Sequence, residues 1–179
     1  MTAGFSVFET ALGWGGVAWG ECGVVGIQLP EPDAGRVRAR LRRRFADLPE
    51  GPPPPAIQDA IRAMQALLSG EPADLSGVAL DMQRVPPFAR GVYEIARTIQ
   101  AGQTVTYGDI ASRLGEPRLA REVGQALARN PFPIVVPCHR VLAAGGKLGG
   151  FSAAGGVATK QRLLTIERAN VAWQPALLP

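Results

Sequence analysis

A chain of 179 residues, 46% apolar and 19% charged, can bury a core and carries too little charge for wholesale disorder. No apolar run reaches the length of a membrane span. The N-terminal M-T-A-G-F-S-V-F-E-T lacks the basic and apolar regions of a secretory signal, and two cysteines are too few for a disulfide scaffold. A cytoplasmic protein with reduced thiols and no membrane association is the expectation. The net charge of +4 is unevenly spread: seven Arg and ten acidic residues through Gln83 give −3, and twelve Arg or Lys with five acids from Arg84 onward give +7. A basic half suits a polyanionic partner, although many basic proteins bind no nucleic acid.

Residues 4–29 read as three antiparallel strands, G-F-S-V-F-E-T, G-G-V-A-W-G-E and G-V-V-G-I-Q-L, parted by glycine turns. Cys22 falls in the second turn with no His or Cys near it in sequence, and reads as structural. Residues 33–45 predict a helix with Val37, Leu41 and Phe45 on one stripe and six arginines around it, more consistent with a solvated face than with a phosphate site. P-P-P-P at 52–55 is a stiff spacer before a second helix over Ala56–Leu68, and Leu75–Met82 returns to strand character. The character changes near Pro86-Pro87, so the expectation is an N-terminal α+β domain over 1–83, with a short antiparallel sheet, and a second domain over 84–179.

In the second half, Val92, Ile95, Ala96 and Ile99 define a helix that starts at the prolines. Thr106 is placed to N-cap a helix over Tyr107–Leu114, and a third helix runs over Arg118–Arg129. That last helix turns Arg118, Arg121, Gln125 and Arg129 away from its apolar face. Helix, short turn, helix is a helix-turn-helix pattern, and three short helices occur equally in folds without DNA. P-I-V-V-P-C-H-R follows: Ile134–Val136 reads as a short buried strand between prolines, surfacing at Cys138, His139 and Arg140. A thiol beside the chain's only histidine and a cation is what a tuned nucleophile requires, and it is equally what a small buried cysteine beside a structural histidine looks like. A glycine-rich loop without phosphate-binding spacing comes next, then a helix over Ala158–Ala169 with Leu163, Leu164 and Ile166 inward. Glu167 lies near the end of that helix, against the helix dipole, and is a candidate partner for His139 or a plain surface acid.

P-C-H-R, preceded by R-x-V-G-x-A-L-x-x-N-P-x-P-I-V-V and followed by the glycine loop, resembles the O6-alkylguanine-DNA alkyltransferases over about Pro87–Glu167. The resemblance implies an α/β fold of the α+β kind, with a winged-helix-like helix-turn-helix domain, and a stoichiometric, irreversible alkyl transfer from O6-alkylguanine in DNA to the protein. It implies Cys138 as acceptor, His139 acting through a water as base, and Glu167 orienting the imidazole. Tyr107 would help turn the nucleotide and donate to the base, and Arg121 would fill the stack, with Arg118 and Gln125 also toward DNA. Asn130, Val141, Phe151, Ser152 and Lys160 would surround the base, with Lys160 near the start of the last helix. The implied partner is double-stranded DNA, met in the minor groove with little sequence preference by a monomer. Cooperative binding along DNA and action on O4-alkylthymine stay open. No cofactor is implied, and with one His and a lone Cys22 no zinc site can be built in the first half.

This chain reads G-F-S-A-A-G-G where the family has G-Y-S-G-G, so Phe151 lacks a hydroxyl and the loop is about two residues longer. Three other functions compete. A non-catalytic lesion binder of this family would carry Trp in place of Cys138, a helix-turn-helix regulator would need operator specificity and a dimer face, and a Cys–His hydrolase would need a base better aimed than an adjacent residue.

Overall fold

The computed structural model describes residues 2–153 and 155–169. The chain divides into two compact units, one of residues 1–85 with Pro131–Val135, the other of Pro86–Asn130 with the chain from Val136 onward.

In the first unit β1 (Gly4–Thr10), β2 (Gly13–Gly20) and β3 (Gly23–Glu31) form an antiparallel meander. α1 (Ala34–Arg44) starts where the Asp33 carboxylate accepts from Arg36 N–H, and buries Val37 and Leu41 on the sheet with Phe5 and Ala18. Two glycines permit that approach: a Cβ on Gly16 would stand 2.5 Å from Leu41, and one on Gly26 would stand 2.3 Å from Phe45. Four of the six α1 arginines are engaged within the unit. Arg38 and Arg42 pair with Glu50, Arg40 pairs with Glu31, and Arg44 lies over the Phe45 ring. α2 (Pro55–Leu68) opens with proline at its first turn and buries Ile57, Ile61, Met64 and Leu68.

Two segments depart from the expected strands. Leu75–Met82 is turns and loop, with a single bridge from Leu80 to Val24. The Asp74 and Asp81 carboxylates accept from the backbone N–H groups of Ser76 and Gln83, local turns that compete with a ladder. Ile134 and Val135 likewise form a turn, with Val136 in no more than an isolated bridge, and Ile134 has φ +75°. Prolines 131, 133 and 137 remove the donors a strand would need, and the segment is anchored instead by Ile27 N–H donating to the Pro131 carbonyl.

The second unit holds α3 (Pro87–Arg97), α4 (Tyr107–Arg113) and α5 (Ala120–Ala128), with a two-residue parallel pair, β4 (Val105–Thr106) on β5 (Val141–Leu142). α3 buries Val92, Tyr93 and Ala96, and Tyr93 donates its hydroxyl to the Ala126 carbonyl of α5 at 2.9 Å. α4 carries a reciprocal cap: Asp109 N–H donates to Thr106 Oγ1 and Thr106 N–H donates to the Asp109 carboxylate. α5 begins at Ala120, two residues later than expected, because Glu116–Leu119 closes a turn in which Leu119 N–H donates to the Glu116 carbonyl. α6 (Gly156–Ile166) begins two residues early and ends before Glu167, with Leu163 and Leu164 buried and Ile166 only half-buried. No helix among the described residues is long and apolar enough to cross a membrane.

Candidate active site

Cys138 opens a single 3-10 turn, Cys138–Arg140, that leads into β5. The turn is fixed by Cys138 N–H donating to the Val136 carbonyl at 2.8 Å, and the same carbonyl accepts from Asn130 Nδ2 at 2.9 Å. Because β5 pairs with β4, the strand that leaves this turn is tied to the strand that starts α4, and so to Tyr107.

A pocket of about 490 Å³ lies against the half-buried Cys138. Its walls come from Tyr107 at the head of α4, from Arg121, Gly124 and Leu127 of α5, and from Phe151 and Ser152 of the glycine loop. The loop is held by Ser152 Oγ donating to the Ala128 carbonyl at 2.7 Å. Gly149, beside the Tyr107 ring, has φ +67°, a left-handed backbone that residues with a side chain rarely adopt.

His139, Arg140 and Glu167 form a second, buried layer. His139 is 1% exposed. Its Nε2 lies 2.8 Å from Glu167 Oε1, and Arg140 donates from Nε to Oε2 at 2.9 Å and from Nη2 to Oε1 at 2.7 Å. Arg140 Nη1 donates to the Ile99 carbonyl. These donors make an acid acceptable at the end of α6 despite the helix dipole, and the side chain is only 3% exposed, so the surface-acid alternative does not hold. His139 Nδ1 is buried with no hydrogen-bond partner in the protein.

The charges follow from these contacts. Burial alone would push the Glu167 carboxyl up, but hydrogen bonds from His139 and Arg140 outweigh it and hold it at about 2. Burial lowers the His139 imidazole below its usual range although Glu167 pulls it up. With Glu167 ionised and the imidazole neutral, Nε2 carries the proton donated to the carboxylate and Nδ1 carries the lone pair. Burial raises the Cys138 thiol above its usual value, against opposing pulls from the Asn130 amide and Lys160. Lys160 is fully buried, donates to the Val141 carbonyl at 2.6 Å, and is lowered by burial to about 8. Tyr107 is raised, by burial first and by Cys138 second.

The structure thus gathers Cys138, Tyr107, Arg121, Phe151 and Ser152 around one pocket. Asn130, Val141 and Lys160, expected as pocket walls, stand behind it and brace the Cys138 turn and β5. Lys160 sits in the second turn of α6 rather than at its start, since the helix begins at Gly156. Arg118 and Gln125 are exposed and do not line the pocket, Arg118 in the turn before α5 and Gln125 on the helix itself. Sequence reading passed over Gly124 and Leu127 as pocket walls and Arg140 as the second ligand of Glu167. The small residue at 124 and the arginine inside P-C-H-R were the available signals. Among the described residues no group of His, Cys, Asp and Glu stands close enough to hold a metal ion.

The model of the 6-O-methylguanine DNA methyltransferase DNA-binding domain matches residues 87–169. A methylated-DNA–protein-cysteine methyltransferase of Methanothermobacter thermautotrophicus is 35% identical over 160 residues, which is 89% of this chain and 82% of that protein. The chain belongs to the methylated-DNA–protein-cysteine methyltransferase family. The mouse member is 33% identical over 172 residues, covering 91% of this chain and 80% of its own. The fold of the family is shared as well. Mycobacterium tuberculosis OGT in complex with DNA superposes with a TM-score of 0.73 at 32% identity over 92% of each chain. The O6-methylguanine-DNA methyltransferase of Pyrococcus kodakaraensis gives 0.72 at 30% identity, over 91% of this chain and 98% of that one.

Proposed function

We propose that this chain repairs DNA by direct reversal, moving the alkyl group of O6-alkylguanine onto its own Cys138. The observation that carries the reading is the placement of the Cys138 thiol at the pocket, with a neutral histidine, anchored through Nε2 and open at Nδ1, in the layer behind it.

The thiol is raised by burial, so it is protonated at neutral pH and needs a base. His139 Nδ1, through one water, takes the Sγ proton, and the imidazolium that forms is stabilised by the Glu167 carboxylate. Sγ attacks the alkyl carbon, the S–C bond forms as the C–O6 bond breaks, and the bonding pair leaves on guanine O6. The departing base is an anion until it gains a proton or a hydrogen bond. Tyr107, whose raised pKa keeps it a phenol, supplies a donor at the ring. The product is a thioether without a labile acyl carbon, so water does not regenerate the thiol and each molecule acts once.

The alkyl carbon is inaccessible inside a duplex, so the nucleotide is turned out at a cost of a few kcal/mol. Arg121, on the first turn of α5 at the pocket wall, fills the gap in the stack. Docking α5 in the minor groove suits damage that occurs in any sequence. Incubation with a duplex labelled on the O6-methyl group tests the reading. The label should pass from DNA to protein, and Cys138→Ser should bind the duplex and leave the label on it. Release of the label to water, or its retention on DNA by the unaltered protein, contradicts the proposal.

A further inference from the structure

Arg140 is buried, 7% exposed, and the mechanism above assigns it no part. Its guanidinium is spent inside the second unit, with two donors on the Glu167 carboxylate and one on the Ile99 carbonyl. An arginine that only clamped the end of α6 to the chain after α3 would have no bearing on the imidazole. Here Glu167 Oε1 is shared: it accepts from Arg140 Nη2 at 2.7 Å and lies 2.8 Å from His139 Nε2.

We propose that Arg140 is a positioning residue that keeps His139 neutral, protonated on Nε2 and with Nδ1 free to accept the Cys138 proton. The inference rests on the reading of His139 as the base. A carboxylate facing an imidazole alone favours the imidazolium, because the pair gains an ion pair by charging. A carboxylate already neutralised by a two-point guanidinium needs only a hydrogen bond from the ring, and the ring's proton is then fixed on the nitrogen nearer the carboxylate. The groups that face His139 fit this balance. Arg140 and Cys138 share its turn, and Glu167 and Lys160 reach it from α6. Burial and the two cations favour the neutral ring, and Glu167 alone favours the charged one. The phenols Tyr93 of α3 and Tyr107 of α4 interact with Cys138 instead.

His139 is the only histidine in the chain, so in an untagged protein its Cε1–H resonance is identified without assignment work. The test follows that resonance against pH in the free protein. In parallel it measures the single-turnover rate of methyl transfer from an O6-methylguanine duplex over the same range, for the unaltered chain, Arg140→Met and Arg140→Lys. With Arg140→Met the imidazole midpoint and the acid limb of the rate profile should rise together by about one unit or more. Lysine keeps the charge and loses the fork, so Arg140→Lys should shift both by a smaller amount. A midpoint and limb that stay in place in Arg140→Met, with only stability or the overall rate reduced, overturn the proposal. If Arg140→Met does not fold, Arg140→Lys decides by the same criterion. A wild-type rate that ignores the His139 midpoint overturns the base assignment itself, a result distinct from an unmoved midpoint in the variants.

Discussion

Replacing Cys138 by serine puts a hydroxyl of similar shape at the pocket in place of the soft, polarisable thiol, so Cys138→Ser should abolish transfer and leave duplex binding near its original affinity. Arg121 is a different kind of residue, exposed at the pocket wall, and the proposed reaction gives it no part in bond breaking. Arg121→Ala should slow repair of the duplex by roughly tenfold, since it withdraws part of the compensation for unstacking, and should change the reaction with the free alkylated base little. Equal losses on both substrates in single-turnover assays would count against the role in extrusion. The residues that carry the proposed chemistry were legible because P-C-H-R, Tyr107 and Arg121 sit in spaced motifs. Arg140 and Asn130 were not legible in their actual duties, because both act through a neighbour's hydrogen bond. No spacing in a sequence shows that one carboxylate oxygen is shared.

At the scale of elements, α4 depends on its cap. Thr106 and Asp109 satisfy each other's backbone N–H groups directly in front of Tyr107, the first residue of the helix. Thr106→Ala should cost about 1 kcal/mol in urea denaturation and slow transfer as well, because the same turn sets where the phenol stands. An unchanged midpoint of unfolding would show that the cap carries no net stability. The helices of both units were readable from apolar spacing and caps, to within three residues at their ends. The two misread segments share one cause. Ile134–Val136 and Leu75–Met82 have strand-like composition, yet prolines remove ladder donors in one and aspartates capture backbone N–H groups in the other. Composition reports which side chains suit a pleated surface, while pairing depends on what the backbone is free to donate.

For the whole molecule, charge sets two expectations. The part of the chain from Arg84 onward carries +7, so duplex affinity should fall linearly in log–log form with salt, and Arg118→Ala should reduce that slope by about one phosphate contact. A slope unchanged by Arg118→Ala would remove that side chain from the phosphate set. Stability should fall on the acid side. His139 is held below its unfolded value, so the unfolded chain binds its proton first, and stability starts to drop as the pH passes below about 6.5. Glu167 is held at about 2 against an ordinary 4.5, so its share is present above the unfolded value and drains as the pH falls from there toward 2. Thermal unfolding across pH should show both windows, and Glu167→Gln should flatten the lower one.

Cys138 is proposed to be a reagent consumed by one event. Intact mass and peptide mapping after incubation with an excess of O6-methylguanine duplex test it most directly. One methyl group per protein molecule, on Cys138, with restored guanine rising only to one per protein, is the result expected. Restored guanine in excess of protein, or full binding with no gain in mass, would contradict it.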